Sequence, residues 1–323
     1  MKRVRWFYLP IILMIILSVL GYWFWTPGEK ALRVEGNFQE NGLWLSHGWM
    51  GDDRWFIVNK RDPLKYDSMA VEKLSITVKS LKIKYVFFHL CPASYQGKIP
   101  EISIEKLKLF RKAMPNIKII AWIGGATETS AKINDTEWIE TFCDSAIELL
   151  KISEIDGVHL NLEPLKSGNV NFLTILRKIS EKKGGKLLSI AAYPPPTIWQ
   201  RSDVVHWSLD YYKELSKYVD QFVPMLYDTS IGYEKIYTNL VRQWTKEIIV
   251  AIPNSSVLFG IPAYEDQGVG YHLPDVENVN SSVPGVIAGI NQSNSNLKYG
   301  IAIYSEWTLD SKEIKFLLTQ IPK

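Results

Sequence analysis

The sequence predicts an α/β protein, a (β/α)8 barrel of the TIM type preceded by one N-terminal transmembrane helix. Three observations predict it. Eight short runs of aliphatic and aromatic residues succeed one another, amphipathic stretches lie between them, and an unbroken apolar segment precedes them all.

The apolar segment is WFYLPIILMIILSVLGYWFW, residues 6–25, preceded by Lys2, Arg3 and Arg5. A run of about 20 apolar residues is long enough to cross a bilayer. Positive charge before it places the N-terminus inside, and Trp6, Tyr8, Trp23 and Trp25 stand where interfacial aromatic belts occur. The following GYWFWTP has no small-x-small cleavage pattern, so an uncleaved anchor is expected rather than a removed signal peptide. Residues 1–30 are then a basic stub and anchor, 31–41 a tether, and 42–323 the barrel domain, held outside the cytoplasm at the cell membrane.

The predicted strands are GLWLS (42–46), KYVFFHL (84–90), KIIAWIG (118–124), DGVHLNLE (156–163), KLLSIAAY (186–193), DQFVPMLY (220–227), VLFGIPAY (257–264) and YGIAIYSEW (299–307). Between them, stretches such as IEKLKLFRKAM, EWIETFCDSAIELLKI and VNFLTILRKISEKK repeat apolar residues at three- and four-residue spacing, the period of an amphipathic helix. Strand–helix alternation implies parallel strands with crossover helices. Eight units close into a barrel of about 250 residues. An open doubly wound sheet would carry a Gly-rich phosphate turn after its first strand, and none is present.

Composition narrows the function. The formal charge is only +3 over 323 residues, with no basic cluster beyond the N-terminus, so nucleic-acid binding has no electrostatic footing. Twelve tryptophans and sixteen tyrosines suit a large aromatic core and also the stacking surfaces of a sugar cleft. Cys91 and Cys143 form no disulfide framework or metal-ligand spacing and read as buried thiols. No cofactor fingerprint is present, and no metal is expected.

Barrel enzymes carry their chemistry at the carboxyl ends of the strands. Here those ends bring His47, His89, Gly124 with Gly125, Asn161 with Glu163, Tyr193, Tyr227 with Asp228, Tyr264 with Glu265 and Asp266, and Glu306 with Trp307. Acids, imidazoles and rings suit acid catalysis on a sugar better than acyl transfer. Within DGVHLNLEP, strand alternation sends Val158, Leu160 and Leu162 outward under the helices. It sends His159, Asn161 and Glu163 into the barrel. A buried polar group without a partner costs a few kcal/mol, so a connected network is expected there.

DGVHLNLE resembles the Asp-Gly-x-Asp-x-Asp-x-Glu signature on the fourth strand of glycoside hydrolase family 18, the chitinase-like barrels. WIGG (122–125) is similar to that family's Ser-x-Gly-Gly, MLYD (225–228) to its Met-x-Tyr-Asp, and YSEW (304–307) to its strand-eight tryptophan segment. GLWLSHGW, GIPAYED and GIAIYSEW look like a bacterial membrane-anchored group of such proteins. Two signature aspartates are replaced by His159 and Asn161, and the strand-three serine by Trp122. The Asn-x-Glu pair is similar to family 85, the endo-β-N-acetylglucosaminidases.

The resemblance implies a glycosidase acting on an N-acetylhexosamine-containing glycan by a retaining, substrate-assisted route. It casts Glu163 as general acid and base, Asn161 as the acceptor for the sugar's acetamide N–H, and Tyr227 as donor to the acetamide oxygen. Asp228 would hold a hydroxyl or support Asn161. Trp307 would floor the sugar site, with Trp122, Tyr264 and Glu306 also binding substrate, while Asp156 and His159 would form a supporting network. The glycan substrate and the membrane are the expected partners. Three rivals stay open on sequence: a catalytically inactive glycan-binding barrel, a metal-dependent hydrolase built on His47, His89, His159 and Asp228, and an assembly factor that merely carries the fold.

Overall fold

The computed structural model describes residues 4–321 apart from 34, 52, 59, 266–270, 294 and 296. The predicted site-end residue Asp266 lies outside the described residues. After a first helix α1 (Val4–Phe24), eight strands follow: β1 (Asn41–Leu45), β2 (Ile83–His89), β3 (Lys118–Ala126), β4 (Gly157–Glu163), β5 (Leu187–Ala192), β6 (Gln221–Pro224), β7 (Ser256–Pro262) and β8 (Tyr299–Tyr304). They pair in chain order, all parallel, and β8 closes on β1. The helices are α2 (Asp53–Val58), α3 (Ser68–Ser80), α4 (Ile104–Ala113), α5 (Thr136–Leu150), α6 (Val170–Lys182), α7 (Leu209–Leu215), α8 (Glu234–Ala251), α9 (Val279–Ser293) and α10 (Ser311–Gln320). This is the (β/α)8 barrel expected from the alternation of strands and helices.

Local chemistry starts the helices where the strands end. Asp135 caps α5 through the Glu137 and Trp138 N–H groups, Asn169 caps α6, and Ser208 caps α7. Asp310 and Glu313 form a reciprocal capping box at α10. The outward residues Val158, Leu160 and Leu162 are buried in the layer between strands and helices. Trp44, Phe87, Trp122, Val223, Leu258 and Ala302 fill the barrel interior instead. Helix α9 departs from amphipathic spacing and contains Pro284, Gly285 and Gly289. Its glycines let it lie directly on α8, because a Cβ at Gly285 would come 2.6 Å from the Thr238 carbonyl oxygen.

Two predicted strands end three residues early. β6 stops at Pro224; beyond it Met225 N–H still reaches Ala192 O of β5 (2.9 Å) and Met225 keeps one bridge to Gly260 of β7. β8 stops at Tyr304, so Glu306 and Trp307 stand in the loop after it. Cys91 and Cys143 are free thiols.

Residues between α1 and β1 lie along α8 and α9. Lys235 Nζ donates to the carbonyls of Tyr22 (3.0 Å) and Trp23 (2.6 Å). Glu29 N–H reaches Pro284 O at 3.0 Å, and Asn291 holds both Glu29 and Ala31 through its side-chain amide. Phe38 N–H then meets Tyr299 O at the start of β8. The docked stretch runs from the end of α1 to β1, and its second part, where Asn291 holds Ala31 and Arg33, is the expected tether. Among the described residues, no helix is long and apolar enough to cross a membrane.

Candidate active site

The site is assembled where β3 and β4 come unusually close. Gly124 pairs with Asn161 in register and holds φ +137°. A Cβ there would sit 2.0 Å from Asn161 O, so the position accepts only glycine. The WIGG motif thus brings the β4 backbone, with Asn161 and Glu163, against β3.

Glu163, the last residue of β4, opens into a cavity of about 870 Å³. Burial is the largest influence on its carboxyl and raises its pKa. Hydrogen bonds from Asn161 and Tyr193 pull the other way, and the Asp228 charge raises it further. The Tyr193 hydroxyl donates to Glu163 Oε2 at 3.4 Å. Asn161 can donate to a carboxylate only through its amide N–H, so its hydrogen bond to Glu163 uses the nitrogen. Tyr227, whose pKa burial lifts well above the usual phenol value, keeps its proton and remains a donor. Its ring stacks on Tyr304 at 5.8 Å and meets Tyr264 edge-on.

Asp228 takes a left-handed backbone, φ +62°, which turns its carboxylate toward a second, deeper group. Its Oδ1 accepts from the Tyr264 hydroxyl and lies 3.2 Å from His272 Nδ1. The same nitrogen is 3.4 Å from Glu277 Oε2, while His272 Nε2 lies 3.0 Å from Tyr264 O. Both ring nitrogens lie near acceptors, an arrangement that favours an imidazolium. Burial opposes that charge, but Asp228 and Glu277 outweigh it and hold the pKa at about 9. Glu277, fully buried, is also satisfied by the N–H groups of Asp228 (2.5 Å) and Thr229 (2.9 Å) and the Thr229 hydroxyl (2.8 Å). One ligand atom from each of Asp228, His272 and Glu277 lies within 4.8 Å of the others, a spacing that could also admit a cation.

Glu163, Asn161, Tyr227, Asp228, Trp122, Tyr264 and Trp307 all line the cavity. Three expected members do not. Asp156 stands before β4, at the opposite end of the barrel, paired with Arg111 (2.6 Å) and Lys118 (3.0 Å) and accepting Ile119 N–H (2.9 Å). Its spacing from Glu163 is odd, so it does not share the inward face of the strand. Glu306 turns toward β1 and accepts from Trp49 Nε1 at 3.1 Å. His159 lies below the cavity, fully buried. Ser189 donates its hydroxyl to Gln221 Oε1 (3.0 Å) and so accepts from His159 Nδ1 (2.9 Å). His159 is thus neutral, its pKa pushed down to about 3 by burial, in a polar layer inside the barrel. Trp307 is 47% exposed at the rim rather than on the floor. Tyr304 takes the deeper place, touching the rings of Trp44, Trp122, Tyr227 and Tyr264.

Four participants had no assigned role in the expected set. Tyr193 ends its predicted strand, so strand-end position was a usable signal for it, whereas Tyr304 lies three residues inside the predicted eighth strand. His272 and Glu277 sit in the β7–α9 connection, where no periodic pattern or motif marks them.

A family model described as Glycosyl hydrolases family 18 matches residues 64–317. The chain belongs to that family. Family 18 membership, with the closed barrel and its strand-end cavity, makes it a glycoside hydrolase. Solved structures it is similar to include the spore cortex-lytic enzyme SleL of Bacillus cereus, at 11% identity and TM-score 0.59, covering 91% of this chain and 75% of that one. A chitinase from Bacteroides thetaiotaomicron is 15% identical, TM-score 0.58, covering 87% and 94%. A Chromobacterium violaceum chitinase is 11% identical, TM-score 0.62, covering 88% and 99%. At such identities the shared property is the family 18 fold. No curated protein sequence matches the chain.

Proposed function

We propose that this family 18 barrel hydrolyses a glycan containing N-acetylhexosamine, with retention and with the substrate's own acetamide as nucleophile. The observation that carries the reading is a Glu163 carboxyl whose pKa is raised by burial, set beside a neutral amide in an aromatic-walled cavity. A protonated Glu163 gives its proton to the glycosidic oxygen as the C1–O bond breaks. The acetamide oxygen bonds to C1 on the opposite face, forming an oxazolinium ion. Asn161 Oδ1 accepts the acetamide N–H and the Tyr227 hydroxyl donates to its oxygen. Water then attacks C1, Glu163 takes the water proton, and the acetamide is released. Tyr193 supports the carboxylate form between the two steps. Asp228, Tyr264 and Trp122 border the sugar, and Trp307 lies where a neighbouring unit would pass.

We also propose that α1 anchors the enzyme in the cell membrane with the barrel outside the cytoplasm. Described side chains in α1 run from Tyr8 to Phe24 and are mostly exposed, apolar and unpaired with the barrel. The apolar run in the sequence begins two residues earlier, at Trp6, and basic residues precede it.

Glu163→Gln tests the chemistry. Released reducing ends are measured across a panel of N-acetylglucosamine-containing glycans. Loss of hydrolysis with retained affinity for a thiazoline mimic supports the mechanism. Full activity in the variant refutes it, and glycan binding without turnover by wild type favours a binding-only barrel.

A further inference from the structure

We propose that the rim around the active-site mouth is a lipid-binding surface, so that the cavity opens onto the bilayer that holds α1. The inference rests on the anchor reading above and adds an orientation and a contact surface that the anchor alone does not specify.

The first observation is where α1 is tied. In a (β/α)8 barrel each helix begins at the end where the strands finish, the end that carries the site. Lys235, in the first turn of α8, donates to the carbonyls of Tyr22 and Trp23, the last turn of α1. Tyr22 also meets Tyr233 edge-on, with ring centroids 6.4 Å apart. Tyr233 is three residues beyond Ser230, which lines the cavity. The point at which the chain leaves α1 is therefore at the mouth. The following residues descend along α8 and α9 to enter β1 at the far end, so the barrel is fixed against this exit point by several hydrogen bonds.

The second observation is the distribution of exposed apolar side chains. Trp199 (88% exposed) and Ile198 (69%) stand in the β5–α7 connection, next to the cavity-lining Gln200. Tyr233 (64%) and Tyr271 (50%) flank them in the connections after β6 and β7. Gln200 Nε2 donates to Thr229 O at 2.7 Å, joining the first of these loops to the second. At the opposite end, among the described residues, the loops entering the strands present Leu297 alone, with Val250 and Leu318 in the last turns of α8 and α10, and no exposed tryptophan or tyrosine. Water offers nothing to such a one-ended set. Tryptophan and tyrosine with a few aliphatic neighbours are the residues favoured at the membrane–water interface, and contiguous exposed apolar surface marks an interaction site. The occupant named by continuity is the bilayer, because the patch begins where the apolar α1 ends.

The test uses the full chain with Cys91 and Cys143 changed to alanine, carrying Trp199→Cys or, on the far end, Asn254→Cys. Each is labelled with bimane and reconstituted in phosphatidylethanolamine–phosphatidylglycerol vesicles containing a shallow spin-labelled lipid. Co-flotation and thermal melting are checked for each variant. The proposal predicts strong quenching at position 199 and severalfold less at 254. Equal quenching at both sites, or stronger quenching at 254, overturns the orientation while leaving the anchor intact. Failure to float with the vesicles overturns the anchor and this inference together, and leaves the hydrolysis assay untouched.

Discussion

Replacing His272 with glutamine tests the buried charge arrangement beneath Asp228. His272 is 2% exposed, and its pKa rises from the ordinary 6.5 to about 9 in the folded protein. The sign follows from linkage: a group whose folded pKa is raised stabilises the native state below its unfolded pKa, and that stabilisation disappears as pH climbs through the folded value. At about 1.36 kcal/mol per pH unit of pKa difference, protonated His272 contributes about 3 kcal/mol at pH 6 and a few tenths at pH 9.5. Urea unfolding of the full chain in a mild detergent, followed by near-UV circular dichroism, should show wild type losing roughly that amount across this window. His272→Gln should be destabilised by about 3 to 5 kcal/mol at pH 6, the usual cost of leaving buried charge uncompensated. Its stability should change much less between pH 6 and 9.5. An imidazole proton resonance of His272 that titrates near 6.5, or a wild-type stability flat across the window, would refute the assignment of an imidazolium to this site.

Asn161→Asp removes a donor to Glu163 and places a second carboxylate beside it, so the Glu163 pKa rises further and the alkaline limb of the kcat profile moves to higher pH. A limb that stays in place sinks the role given to Asn161. Asp156→Asn weakens the contacts to Arg111 and Lys118 and should cost about 1 to 3 kcal/mol of stability with kcat/KM unchanged. A fall in kcat/KM without loss of stability would restore Asp156 to the network supporting the site.

The fold was legible because its signals are local and repeated. Each predicted strand run contains or overlaps an observed strand, and the inward–outward assignment of β4 follows from alternation alone. Boundaries failed where tertiary geometry cuts a strand short, as at Met225, which no propensity distinguishes from the residues before it. The same alternation held enough information to separate Asp156 from Glu163. The motif resemblance pulled Asp156 into the site although the odd spacing sets it on another face. The resemblance of YSEW puts Trp307 on the floor, whereas the position that reaches inward at the end of β8 belongs to Tyr304. Glu306 likewise lies beyond the strand's end and was captured by Trp49, a partner 257 residues away in sequence. His272 and Glu277 reach Asp228 only through the folded path of a loop, and such contacts leave no periodic trace.

The asparagine at 161 and the imidazolium at 272 make sense together. Glu163 needs a raised pKa to act as an acid, and burial already supplies it. A carboxylate at 161 would add repulsion at hydrogen-bonding distance, in a cavity where Asp228 already pushes the same way. In the proposed cycle too high a pKa is no advantage, since Glu163 must release its proton in the first step and stand as a carboxylate before taking one from water in the second. Asn161 and Tyr193 both lower the Glu163 pKa by donating to it. His272 sets its ring nitrogen 3.2 Å from Asp228, the carboxylate whose charge raises Glu163. In the proposed role of Glu163, the departures from the family signature leave an acid whose pKa burial raises and Asn161 and Tyr193 restrain.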